Sequence, residues 1–371
     1  MAAFLSLLAT VFVAVAIIRW IPRARLRYWV RKRFNPTAYG LPPRDQLDAR
    51  RAGPPRPAYE YKEMQAVADA AWYGDWRPAA AYIEAAGRNW DERWSRLELL
   101  QQIAEESDAW VEQWRAARPE DGDAATLHAS LLLHRAWAIR GSAYAHQVPA
   151  RNMRRFHELL PAAMTAAKAA AELAPKNPGP WVVMITAARG MQYTGPDFHR
   201  LWEGLIVRAP HHYAGHWQAL QYWCDKWFGT DQLMLEFAQR AVHAAPAGSP
   251  LAGIYLHALD ELDKRSSPLP SVDASRSLLQ DVARSLDLVP ADHRALPPLR
   301  HRLAHHLNRA GLHDTALEQF RRIGPWCGAE PWHSASDPVA AFDLARGTAA
   351  KHAKHHSPTD DTSPTTQERP S

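Results

Sequence analysis

The chain has 371 residues, 47% of them hydrophobic and 22% charged, enough apolar content for a substantial core and too much for a chain disordered throughout. Its formal charge of +5 invites a nucleic-acid reading, but Arg19, Arg23, Arg25, Arg27, Arg31, Lys32 and Arg33 supply seven of the positive charges, and no acid precedes Asp45. Without that cluster the remainder carries −2, so the basic charge is one local patch and no nucleic-acid partner is expected.

Residues 2–18 (AAFLSLLATVFVAVAII) carry no charge. As a helix, this stretch with Met1 is about 27 Å long, enough to cross a hydrocarbon core of about 30 Å if Arg19 snorkels. Trp20, Tyr28 and Trp29 follow, as amphipathic rings do at an interface. Residues 1–20 are therefore expected to form a transmembrane helix, and 21–33 a basic juxtamembrane segment attractive to anionic headgroups. Basic residues on the C-terminal side alone put the N-terminus outside and the rest in the cytoplasm, a single-pass protein of the cell membrane. Ala14-Val15-Ala16 has the small-x-small form of a signal cleavage site. Against that, the basic n-region of a secretory signal is missing and the positive cluster lies on the side that resists export.

Residues 34–58 (FNPTAYGLPPRDQLDARRAGPPRPA) hold six prolines and no sustained apolar period, which predicts an extended, semi-stiff linker. From 59 to 347 apolar residues recur every three to four positions, so the fold class is all-α. The most strand-like stretch, Trp181 to Thr186, flows into Ala187-Ala188-Arg189 and is read as helix. Residues 348–371 are polar and rich in Ser, Thr and Pro, and are expected to be disordered.

Within the helical region Leu173-Ala174-Pro175, Arg208-Ala209-Pro210, Ala244-Ala245-Pro246 and Leu288-Val289-Pro290 recur at intervals of 35, 36 and 44 residues. Each proline follows a helical run, where it ends one helix and opens a connection. A second pattern sets Gly74-x-Trp76-x2-Ala79-x3-Ile83-x2-Ala86 beside Gly311-x-His313-x2-Ala316-x3-Phe320-x2-Ile323 with identical spacing. With Leu303, Ala304 and Leu307 upstream, the second copy resembles a tetratricopeptide repeat. Ala167 to Trp181 (AKAAAELAPKNPGPW) is similar to the end of one such unit and the start of the next. The small residues let antiparallel helices approach closely while an aromatic fills the groove. The resemblance implies an α-solenoid of antiparallel helix pairs, about four units between 60 and 325, whose first helices line a concave groove. On this chain the groove-facing residues it implies are Arg189, then Gln218, Tyr222, Asp225 and Lys226, then His301, His305, Asn308 and Arg309.

Eight of the 16 tryptophans fall in pairs four apart: Trp72/Trp76, Trp90/Trp94, Trp110/Trp114 and Trp223/Trp227. Four pairs in separate segments read as helix-packing rings rather than as an aromatic box for a ligand, with Trp223/Trp227 expected to be partly exposed. His211, His212 and His216 cluster at one connection, and His301 and His305 stand one helical turn apart. Without HExxH, a phosphate-cradling glycine loop or a nucleophile elbow, no catalytic residue, metal or cofactor is assigned. Cys224 and Cys327, the only cysteines, make no disulfide framework. The favoured expectation is a membrane-anchored helical-repeat scaffold that binds a protein or peptide partner, reaching the membrane through residues 1–33. The alternatives are a metal-dependent hydrolase using His211, His216, His301 and His305, and a structural protein that self-associates at the membrane surface.

Overall fold

A computed structural model describes residues 24–141, 147–265, 267, 270 and 272–354. The chain is all-α among these residues. In order the helices are α1 (residues 24–32), α2 (Ala58–Trp72), α3 (Arg77–Glu84), α4 (Trp90–Glu106), α5 (Ala109–Ala117), α6 (Gly122–Arg140), α7 (Ala150–Leu173) and α8 (Gly179–Gly190). They continue with α9 (Gly195–Arg208), α10 (Tyr213–Trp223), α11 (Asp231–Ala244), α12 (Ile254–Lys264), α13 (Val272–Asp287), α14 (Leu296–Arg309), α15 (His313–Ile323) and α16 (Pro338–His352). The expected transmembrane helix, residues 1–20, lies outside the described residues. No described helix is long and apolar enough to cross a membrane.

The chain divides into two compact units. The larger comprises residues 56–269 and 284–294; the smaller comprises the chain up to 55, residues 270–283 and residues from 295 onward.

Helix starts in the larger unit are set by local capping. Asn89 accepts from the Glu92 N–H, Asp121 from the Asp123 and Ala124 N–H groups, and Thr230 from the Leu233 N–H. Each satisfies a donor that the first turn leaves without an intrahelical partner. Pro175, Pro210 and Pro246 all fall in connections between helices, where a missing N–H costs nothing. Helices α6, α8, α10 and α12 are neighbours in succession, and α7, α9 and α11 each pack on the helix before and, for α7 and α11, the helix after. The hairpin of α2 and α3 turns at Gly74, whose φ of +83° belongs to the left-handed region that glycine enters without a Cβ penalty. Ala79 and Ile83 then face inward, both fully buried.

The tryptophan pairs divide. Trp90/Trp94 and Trp110/Trp114 each share one helix, and Trp110 and Trp114 are buried, with Trp76 stacked on Trp114 at 5.9 Å between centroids. Trp72 and Trp76 do not share a helix: the Gly74 turn separates them, and Trp72 is 71% exposed. Trp223 closes α10 while Trp227 stands in the next turn, both half-buried.

In the smaller unit the structure corrects the expectation for residues 34–58. Up to residue 55 the segment is packed, with Phe34 and Leu41 each only 3% exposed. Arg346, itself fully buried, donates from Nη1 to the Pro42 carbonyl at 2.6 Å, and Arg321 from Nε to the Tyr39 carbonyl at 2.9 Å. Arg44 pairs with Asp343 at 2.7 Å and donates to the Val30 carbonyl. Farther along, the Asp48 N–H donates to Pro325 O, Cys327 N–H to Asp48 O, and Gly328 N–H to Arg51 O, all within 2.9 Å. Proline composition predicts extended backbone but leaves its carbonyls seeking donors. Here arginines and backbone amides some 250 to 300 positions away supply them. The segment is a strap stitched to α14–α16 and the turn after α15. Of the expected disordered tail, residues 348–352 are helical, because α16 continues to His352; residues 355–371 lie outside the described residues.

Val30 of α1 and Phe34 press on Gly347 of α16: a Cβ there would stand 2.7 Å from Val30 Cγ2 and 3.2 Å from Phe34 Cδ1. Gly347→Ala is expected to destabilise the smaller unit by about 1–2 kcal/mol, because the clash with two buried side chains outweighs the helix-propensity gain of about 1 kcal/mol. Denaturant unfolding should show a lower midpoint at unchanged slope, with faster proteolysis within residues 24–55. A higher midpoint would mean the strap is not pressed on α16.

Candidate functional site

A row of polar and aromatic side chains runs across the even-numbered helices of the larger unit. Trp137 and Arg140 come from the last turn of α6, Arg189 from the last turn of α8, Gln218 and Gln221 from α10, and Glu261 from α12. The turn after α10 adds Lys226 and Trp227. That turn requires glycine at 229, since a Cβ there would stand 1.8 Å from the Trp223 carbonyl oxygen.

Arg189 is the centre of the row and is 7% exposed. Its guanidinium lies 4.7 Å from the Trp137 ring centroid and 5.3 Å from that of Trp227, and the two indoles meet edge to face at 5.6 Å. Arg140 approaches the same indoles at 5.4 and 5.0 Å. Nη1 of Arg189 donates to Gln218 Oε1 at 3.2 Å and reaches its backbone carbonyl at 3.4 Å, long contacts to neutral acceptors. Its Nε is buried with no hydrogen-bond acceptor, as is the indole N–H of Trp137. Burial, reinforced by the Arg140 charge, pushes the Arg189 pKa down to about 9, against the weaker pull of Glu261. It therefore remains a cation at neutral pH, held in an aromatic sleeve without a carboxylate in contact.

Glu261, 3% exposed, is committed elsewhere. It accepts from Lys226 Nζ at 3.1 Å, Gln221 Nε2 at 3.3 Å and Lys264 Nζ at 3.4 Å. Burial alone would raise its pKa, but the two ammoniums and these hydrogen bonds take it below the ordinary value. Cys224 stands 4.0 Å from Glu261, and burial pushes its thiol up, which removes it as a nucleophile at neutral pH.

Of the residues singled out in the sequence, Arg189, Gln218 and Lys226 thus belong to one network. Tyr222 belongs to the core: its ring stacks on Phe198 at 3.5 Å and its hydroxyl donates to the Tyr193 carbonyl. Asp225 is exposed and pairs with Arg265 at 3.6 Å. The other four belong to the smaller unit. His301 is fully buried, His305 is half-buried with its ring edge-on to Trp332, Asn308 donates to the Ala345 carbonyl, and Arg309 is exposed. Sequence reasoning missed Trp137 and Arg140, which carry no motif. Their one signal is helical spacing three apart at the end of α6.

A cleft of about 490 Å³ in the larger unit lies elsewhere, between the N-terminal ends of α2 and α4 and the residues just before α14. Its charges are matched internally. Arg96 pairs with Glu92 and donates to the Tyr82 carbonyl, Arg56 pairs with Glu60, and Arg294 lies 3.8 Å from both Glu60 and Glu92. Asp91 accepts from the Tyr213 N–H that opens α10. Volume and uncompensated charge point to different places, and the unmatched buried cation is the sharper sign of binding.

The histidines serve the fold. His301 accepts at Nδ1 from the Trp332 indole N–H, so Nε2 carries the proton and donates to the Ala52 carbonyl at 2.8 Å. His212 accepts at Nδ1 from the Gly215 N–H as the N-cap of α10, and His216 donates from Nδ1 to the His212 carbonyl. Both ring nitrogens of His301 are engaged.

No family model, curated protein or solved structure matches the chain.

Burial holds His212, His216 and His301 at a pKa of about 4, below their ordinary 6.5. The unfolded chain then binds more protons, so stability is full above about pH 6.5 and is lost as pH falls from there toward 4. At pH 5 each histidine should cost about 2 kcal/mol relative to pH 7.5. Urea unfolding at the two pH values checks this, and equal midpoints would show that these imidazoles titrate freely in the fold.

Proposed function

We propose that this is a membrane-anchored helical-repeat protein whose repeat region is a tetratricopeptide-like solenoid binding a protein partner along the even-numbered helices. Support for the solenoid comes from the succession of α6, α8, α10 and α12 as neighbours with odd-numbered helices packed beside them. It also comes from the two glycine turns of one register, Gly74 at φ +83° and Gly311 at φ +72°, each followed by a helix with buried small and large apolar residues. The row of Trp137, Arg140, Arg189, Gln218, Lys226 and Trp227 is the observation that carries the binding role. It offers an edge-to-face aromatic wall, cations and an amide side by side, the materials with which a helical groove holds an extended chain. Residues 1–20 are the anchor in this reading, and the basic residues after them keep the repeat region on the cytoplasmic side.

The test is proximity labelling in cells with the labelling enzyme fused after Ser371. The full chain is compared with a chain lacking residues 2–20, which leaves α1 and the strap intact, and with Arg140→Glu. A set of cytoplasmic proteins labelled at the membrane by the full chain is expected to disperse without the anchor and to shrink at least several-fold with Arg140→Glu. Labelling of exported proteins alone would overturn the topology, and an unchanged set with Arg140→Glu would overturn the groove.

A further inference from the structure

The smaller unit shows how this chain handles a buried arginine. Arg346, fully buried, has its guanidinium fixed by the Asp343 carboxylate at 2.9 Å through Nε and by the Pro42 carbonyl through Nη1. Arg93 of the larger unit is likewise matched to the Asp123 carboxylate through Nε and Nη2. An ionised group taken out of water needs such a partner, because the interior does not solvate it.

Arg189 breaks that pattern. It is as deeply placed, yet its hydrogen bonds go to one neutral glutamine, its Nε has no acceptor, and a second guanidinium shares its indole walls. Glu261 is near enough to act on the Arg189 charge but spends its oxygens on Lys226, Lys264 and Gln221. The surroundings grade outward from this floor: Trp137, Arg140, Gln218 and Trp227 are all half-buried. A cation at the bottom without a carboxylate in contact and a buried indole N–H without an acceptor lie beside the half-exposed Arg140.

We propose that this set is a receptor for a carboxylate presented by a protein segment, seated on Arg189 beside the indoles of Trp137 and Trp227 with Arg140 at its rim. The inference rests on the binding role proposed above and names the chemistry the row selects. Shape favours a carboxylate. A guanidinium flanked by aromatic rings offers its N–H groups as a planar fork, which a flat carboxylate meets with two parallel hydrogen bonds. Charge favours it too, since a phosphate dianion would meet stronger repulsion from nearby Glu261.

The experiment titrates the full chain in detergent with sodium acetate, against sodium chloride at equal ionic strength and against acetamide as the uncharged isostere. Melting temperature and tryptophan fluorescence are read together. At 50 mM acetate the melting temperature should rise saturably by about 3 °C, with no rise for chloride or acetamide. Arg189→Gln should abolish the rise. Should that variant fail to fold, the half-exposed Arg140→Gln and Trp227→Leu carry the test and should each weaken acetate binding about tenfold. Acetyl-Gly-Gly with a free C-terminus and acetyl-Gly-Asp-Gly-amide then separate a chain end from an acidic side chain as the source. An acetate shift no larger than that of chloride, or one unchanged in the variants, overturns the proposal, as does tighter binding of inorganic phosphate at the same residues. If acetate fails while Arg140→Glu still loses its labelled partners, the binding role stands and only the ligand chemistry falls.

Discussion

The Trp181 ring lies where Gly204 has no side chain, and a Cβ on that glycine would stand 2.0 Å from the ring. The same relation recurs through the larger unit, where Gly190 receives Leu160 and Phe156, and Gly215 receives Leu205. Helices that meet over a missing side chain approach closely, and the bulky group from the neighbour fills the space that approach would otherwise leave. This constraint sets the separation of consecutive helices, and everything placed on them inherits it. The sleeve around Arg189 needs Trp137 from α6 and Arg189 from α8 at a spacing of a few ångströms. Gly190, adjacent in the chain, is the residue that lets α8 settle against Leu160 and Phe156 of α7. Packing and site are therefore one arrangement.

Charge placement follows a second rule that separates structural from functional polarity. Arg93, Arg44 and Arg346 meet carboxylates, and Arg44 and Arg346 also donate to the backbone carbonyls of Val30 and Pro42. These groups fasten one segment to another, and their desolvation is offset within the chain. Buried histidines do the same work as neutral side chains: His212 caps a helix and His301 joins the strap to the Trp332 indole. Against that background the Arg189 guanidinium is the exception, since no fastening explains a cation whose firmest contact is an amide oxygen at 3.2 Å.

Much of the helical framework is legible in the sequence because its causes are local. Gly74 and Gly311 mark left-handed turns, the alanines and aromatics after them mark buried faces, and Pro175, Pro210 and Pro246 mark helix ends. Each effect acts within a few residues of its cause. The Trp72/Trp76 spacing misleads for the same reason: four apart places two rings on one face only if the helix continues, and Gly74 ends it. Residues 34–55 are illegible because their local bonds make only two short turns and do not place the segment on the fold. Their order comes from Arg321, Arg346 and His301, whose partners are backbone carbonyls that every sequence possesses. Of the row around Arg189, Arg189 and Gln218 are found by register, whereas Arg140 and Trp137 matter only because α8 and the turn after α10 arrive beside them.

The packed strap also changes what the proposed anchor can do. A free linker of some 25 residues would let the attached domain range over tens of ångströms from the bilayer. With residues 24–55 bound to the smaller unit, only residues 21–23 separate Trp20 from α1, a span of at most about 14 Å to the first helical residue. The exposed side chains of α1 are Arg25, Arg27, Tyr28, Arg31 and Lys32, followed by exposed Arg33, while Val30 is turned inward against Gly347. Five cations held on a fixed surface would act on an anionic bilayer at short range, where they escape most screening by salt. In the proposed reading an anchor so attached would work as a clamp, holding the smaller unit against the headgroups.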